Sequence, residues 1–332
     1  MVSLSIELTM ALESSVAYPI LVLVGSMAIL AYVSSFVIRS IEDFMELTGL
    51  GETAAGFALL SVITSTPELV VAAFSLADGA PGLTVGDLLG SNVFNLGVVV
   101  GLLMLVAGFL KECPEGLVEI ADILLLSSII PLLLVSVKGN SWLIGIGLLT
   151  LFVYTVYRET RVKGRVTPPV LTEHQQPSRF PKSRSHTFAK ILIGTLIIVV
   201  SARFTVSSAL EITGLLGVPA ILIGAKLVAI GTSLPELSLS IAAVRRGRIY
   251  LATANAIGSN LTNLTLILGV VFCSSLFTPF TLDLTAFTEV ISFVLITSLI
   301  IWYHITKGGN CRRFGAILIL TYVFFQAVST VG

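Results

Sequence analysis

Two short strings in this 332-residue chain carry oxygen donors at helical spacing, and both strings occur twice. The first is Thr64-Ser65-Thr66-Pro67-Glu68, repeated as Thr232-Ser233-Leu234-Pro235-Glu236. The second is Gly90-Ser91-Asn92-Val93-Phe94-Asn95, repeated as Gly258-Ser259-Asn260-Leu261-Thr262-Asn263. The copies keep a constant offset of 168 residues inside the matching segments 51–101 and 219–269. Thr64 and Glu68 stand at i and i+4, as do Thr232 and Glu236, Ser91 and Asn95, and Ser259 and Asn263, so each pair shares one helical face. Pro67 and Pro235 have no N–H and crowd the turn before them, which frees the carbonyls of Ile63 and Gly231. Hydroxyl, amide, carboxylate and carbonyl oxygens are the ligands that hard cations such as Ca2+ and Na+ require.

The solvent around these residues follows from composition. Hydrophobic residues make up 55% of the chain and charged residues 11%, with a mean hydropathy of +1.01. A water-soluble domain is about a quarter charged, so this chain belongs in a lipid bilayer. A carboxylate deep in a bilayer is costly and is kept for a task; two at equivalent places in a duplicated helix pair imply an ion site near the midplane and ion-coupled transport. Their combined charge balances one Ca2+. Small residues and interhelical hydrogen bonds would account for Gly90-Ser91 or Gly258-Ser259 as packing features, but not for the two glutamates.

The elements that must position these groups are apolar runs long enough to span. Ten are expected, at 16–38, 51–77, 83–109, 117–137, 141–158, 188–210, 219–244, 249–273, 283–303 and 312–331. A polar, proline-containing stretch at 159–187 separates a first five-helix half, 1–158, from a second, 188–332. Five helices is an odd number, so the second half enters from the opposite side and the repeat is inverted. Sixteen of the nineteen Lys and Arg residues fall on one set of connections, including the 159–187 linker, which makes those connections cytoplasmic. The expected fold is therefore an all-α polytopic membrane protein of ten transmembrane helices, two inverted five-helix repeats with both termini outside.

At the two repeated strings the chain resembles the cation/calcium exchanger superfamily, in its prokaryotic sodium/calcium exchanger type. Gly-Thr-Ser-x-Pro-Glu is intact at 231–236, and Gly-Ser-Asn-x-x-Asn at both 90–95 and 258–263. The resemblance implies a Ca2+ antiporter of the plasma membrane. It further implies that Thr64, Ser65, Glu68, Ser91 and Asn95, with Thr232, Ser233, Glu236, Ser259 and Asn263, form a central cluster of cation sites, joined by carbonyls at Ser61 and Ala229. Three positions depart from the pattern: Ile63 replaces a glycine, Asn95 and Asn263 are both neutral, and Lys226 stands within the seventh span. The cluster is then expected to hold two formal negative charges, and Lys226 either to snorkel outward or to reach the site as a counter-charge.

The expected activity is exchange of Ca2+ for Na+ through one alternately exposed oxygen cluster, by a chain that works as a monomer. H+/Ca2+ exchange on the same two glutamates is the alternative, and the hydroxyl-rich Thr-Ser steps favour Na+. A cation channel ranks below both, because channels usually build their filter between subunits. Zero net charge gives no reason to expect a nucleic-acid partner. No HExxH, GxSxG or phosphate-binding glycine loop points to an enzyme, and no cofactor is expected beyond the transported ions. Cys113, Cys273 and Cys311 read as small apolar residues, and His174, His186 and His304 are too scattered for a metal site. Of the remaining polar residues, Asp87 is expected to line the external approach or cap a helix at the interface. Glu52 suits a helix N-terminus, and Arg203 is expected to pair with Glu211 or face the headgroups.

Overall fold

In a computed structural model of the chain the described residues are 2–48, 64–106, 115–135, 141–161, 184–245 and 249–328. They are helical almost throughout, with no strand among the described residues. Eight helices among them are long and apolar enough to cross a membrane. The expected second span is described only from Thr64 on, where α2 (Thr66–Ala77) has 12 residues. The expected tenth corresponds to α14 (Cys311–Ala327), of 17 residues. The first and sixth expected spans sit inside much longer helices, α1 (Val2–Thr48) and α7 (Arg184–Leu216).

The sequence repeat reappears as a repeat of element boundaries. The helix α2 (Thr66–Ala77) matches α10 (Leu234–Arg245), and α3 (Pro81–Phe94) matches α11 (Ile249–Thr262), residue for residue at the offset of the repeat. Both α3 and α11 run into π-helical turns that begin on an asparagine, Asn95–Val100 and Asn263–Ile267. They continue as α4 (Gly101–Val106) and α12 (Leu268–Ser274). A third π-helical turn, Gly224–Val228, lies between α8 (Ala220–Ile223) and α9 (Ala229–Thr232). Such turns widen a helix by one residue and occur frequently at functional sites.

The segments carrying the repeated strings form the interior. Every residue of α3 except Gly82 is buried. The surrounding helices show large apolar side chains outward, among them Leu21 and Tyr32 on α1, and Leu196 and Val200 on α7, as lipid-facing surfaces do. The helices α5 (Glu115–Ile129), α6 (Ser141–Arg161), α13 (Leu284–Lys307) and α14 pack around this interior over one large apolar cluster. The pair α1 and α7 runs side by side, joined by a Ser26–Thr205 hydroxyl contact of 2.9 Å. Its apolar side chains, including Leu23, Leu30, Ala202 and Val206, meet Val71 and Val228 in a second, separate cluster.

Close approach of α3 to the third π-helical turn depends on glycine. A Cβ at Gly86 would collide with the carbonyl of Ile221, and one at Gly90 with the backbone of Ala225. Small residues four apart let two backbones touch, which is how helices associate in a medium as apolar as their own side chains. This contact sets Asp87 and Ser91, the residues that follow those glycines, against the segment that ends at Thr232.

Candidate ion-binding site

Two breaks shape the site. Ser65 and Ser233, equivalent in the repeat, are turn residues between helical segments, at φ −86°, ψ 19° and φ −89°, ψ 0°. These are bridge-region conformations, sparsely populated and common where a chain does chemistry. The physical cause lies two residues on, where Pro67 and Pro235 withhold an N–H from the ladder. Each break starts a new helix, and Glu68 and Glu236 fall in the first turns of α2 and α10. A carboxylate there meets the positive end of the helix dipole, which offsets part of the penalty of burial.

The two halves then interlock through their polar residues. Ser65 Oγ lies 3.2 Å from Ser259 Oγ, and Ser259 donates to Glu236 Oε1 at 3.1 Å. On the other side Ser91 Oγ lies 3.2 Å from Thr232 Oγ1, which donates to Asp87 Oδ1 at 2.9 Å. Asn260 bridges the halves by donating to the carbonyl of Asn92 at 3.1 Å and accepting from Asn95 at 3.0 Å. All ten residues singled out by the motifs, Thr64, Ser65, Glu68, Ser91, Asn95, Thr232, Ser233, Glu236, Ser259 and Asn263, are thus gathered in the interior, none more than 1% exposed.

Many of these groups have no hydrogen-bond partner among the described residues. Both oxygens of Glu68, Oε2 of Glu236, Oγ of Ser233, Oδ1 of Asn95 and the whole amide of Asn263 are buried without a hydrogen bond. Buried polar atoms are nearly always paired, so a set of orphans made largely of oxygens is the signature of a place where something else supplies the contact. Glu68 and Glu236 are near enough for their charges to act on each other, and Asp87 acts on both. Among the described residues no basic side chain pairs with any of the three. Nor do any three acidic, histidine or cysteine side chains among them close on one point. A cation held here would take most of its shell from hydroxyls, amides and carbonyls.

Several residues lie elsewhere than the sequence suggests. Asp87 is neither at an approach nor at an interface: it is fully buried, on the face of α3 that carries Ser91 one turn on. Among the described residues the oxygen cluster therefore holds three carboxylates rather than two. The stripe 87, 91, 95 was readable at i, i+4 and i+8, but the repeat masked it, because the equivalent of Asp87 is the neutral Asn255. Lys226 neither snorkels nor points into the cluster. Its ammonium lies 3.5 Å from Glu289 Oε1 on α13, donates to the carbonyl of Val328, and sits 5.5 Å from the centre of the Phe325 ring. Arg203 pairs with Asp78, at the end of α2, instead of Glu211. Glu52, Ser61, Ile63 and Cys113 lie outside the described residues.

An apolar helical shell around a duplicated set of buried oxygen donors is the architecture of an integral membrane protein that crosses the bilayer several times and handles ions. The profile of the sodium/calcium exchanger protein family matches residues 18–160 and 186–331, and the chain belongs to that family. The sodium/calcium exchanger MaX1 of Methanosarcina acetivorans is 26% identical over 344 residues, covering 93% of this chain and 97% of that protein. Among solved structures, the sodium-calcium exchanger NCX_Mj soaked with Na+ and Sr2+ superposes with a TM-score of 0.62 at 25% identity, over 95% of this chain and 100% of that one. The H+/Ca2+ exchanger CAX gives 0.73 at 16% identity, over 97% and 88%, a likeness of fold.

Proposed function

We propose that this chain is a secondary active antiporter that exchanges Ca2+ for Na+ across the cell membrane by alternating access. The observation that carries this reading is the pair of fully buried glutamates, Glu68 and Glu236, at equivalent places in the repeat, with three of their four carboxylate oxygens meeting no donor among the described residues. Isolated buried anions are too costly to keep, and a cation between them removes that penalty. Ca2+ takes about six to eight oxygens. The two carboxylates, the hydroxyls of Thr64, Ser65, Ser91, Thr232, Ser233 and Ser259, and the amides of Asn95 and Asn263 supply that number with charge balance.

Na+ is the proposed counter-ion because the site is richer in neutral oxygens than proton exchange needs. Two glutamates alone would suffice to carry two protons. The reading includes ten transmembrane helices in two inverted five-helix repeats with both termini outside, placed in the plasma membrane. The inversion brings the two glutamates to the same depth from opposite sides. Both halves of the site come from one chain, so the monomer is the working unit.

The test is Ca2+ uptake into proteoliposomes holding the purified protein, under an imposed Na+ gradient or an imposed pH gradient. Uptake driven by the Na+ gradient is expected. Uptake driven by the pH gradient with no response to Na+ would assign the same glutamates to H+/Ca2+ exchange. Uptake that needs neither gradient would make the protein a channel.

A further inference from the structure

We propose that Asp87 is a third anionic ion ligand, forming with Thr232 and Ser91 a flanking position for a monovalent cation beside the divalent one held between Glu68 and Glu236. The inference rests on the antiport reading above and adds a residue to it. Asp87 is wholly buried, its Oδ1 takes the hydroxyl of Thr232 at 2.9 Å, and its Oδ2 is buried with no partner among the described residues. Thr84, three residues earlier on the same helical face, is also wholly buried with its hydroxyl unpartnered. The hydroxyl of Thr232 lies 3.4 Å from the carbonyl oxygen of Val228 and 3.3 Å from that of Ala229. Asp87 thus stands in a pocket of oxygens with one of its own left over.

The kind of ion follows from the charge. Asp87 lies about 6 Å along α3 from Ser91, given the rise of a helix, so it belongs to a position beside the central one. A single carboxylate surrounded by neutral oxygens matches a monovalent cation, whereas a divalent ion there would keep an uncompensated charge. Three carboxylates also change the balance of the whole site. With two, three Na+ would leave one positive charge buried; with Asp87, three Na+ are neutral, and so is one Ca2+ with one Na+. The neutral Asn255 at the equivalent place makes this third charge a property of one half only.

Asp87→Asn tests the assignment, because it keeps the shape of the side chain and an acceptor for Thr232 while removing the charge. In proteoliposomes the Na+ concentration for half-maximal Ca2+ exchange is expected to rise about tenfold, and the Ca2+ concentration less than about threefold. Unaltered Na+ dependence, or Na+ and Ca2+ dependences weakened together, would overturn the proposal. Failure of the antiport reading looks different, since wild-type vesicles would then show no gradient-driven Ca2+ movement. In that case thermal stability in detergent decides: Na+ should stabilise wild type more than Asp87→Asn, and equal stabilisation refutes the role. Asp87→Ser, read the same way, replaces the first variant if that one does not fold.

Discussion

Lys226 and Glu289 face each other at 3.5 Å inside the helical core, with side chains only 16% and 9% exposed. No hydrogen bond joins them, and among the described residues Glu289 has no donor and no other ion pair, so the charge that compensates it there is that of Lys226. A buried pair broken on one side is strongly destabilising, because the remaining charge has no partner. Lys226→Thr is therefore expected to lower stability by about 3 kcal/mol, read as a lower melting temperature in detergent, and Lys226→Thr with Glu289→Gln to recover part of that loss. The Na+ dependence and reversal potential of the single variant should match wild type. A changed coupling ratio would put Lys226 back among the groups that govern the transported ions.

Glu68→Gln and Glu236→Gln are each expected to abolish Ca2+ transport while the protein still folds, since each removes half of the charge that balances the ion. Glu52→Gln should keep most activity. The measurement is Ca2+ flux in proteoliposomes beside the elution profile of the purified variants. Equal loss in all three would show that depth in the helix is irrelevant to the site.

Thr232→Ala with Ser233→Ala is expected to remove the Na+ dependence of exchange while Ca2+ binding persists, because neutral hydroxyls matter more to a weakly charged ion than to Ca2+ between two carboxylates. Ca2+ binding by calorimetry and Na+ titration of flux separate the two effects. Loss of both together would mean that the two hydroxyls are as indispensable to Ca2+ as to Na+, or that Thr232 is a structural link.

Gly90→Ala should destabilise the protein by roughly 1–3 kcal/mol or more, the usual effect of overpacking, because the added Cβ meets the backbone of Ala225, which cannot step aside. Gly147→Ala, where nothing lies within 4 Å, should be neutral or slightly stabilising. Melting temperatures of the two variants in one detergent check the contrast. A tolerated alanine at Gly90 would mean that α3 and the π-helical turn at Gly224–Val228 do not touch as described.

The amino-acid order alone determined the solvent, the duplication and the ten oxygen-bearing residues of the motifs. These are local properties: hydropathy accumulates along a run, and a proline two residues after Ser65 or Ser233 disturbs its own helix whatever lies around it. The element boundaries repeat at the offset of the sequence repeat for the same reason. What the tertiary structure decided were the partners. Asp87 could be placed on a face with Ser91, but its contact with Thr232, 145 residues away, exists only because two glycines let α3 lie against a distant backbone. Lys226 finds Glu289, and Arg203 finds Asp78 rather than the nearer Glu211, by the packing of whole helices. A charge in a sequence shows that a partner is needed; in a medium that solvates neither charge, only the fold determines which one is within reach.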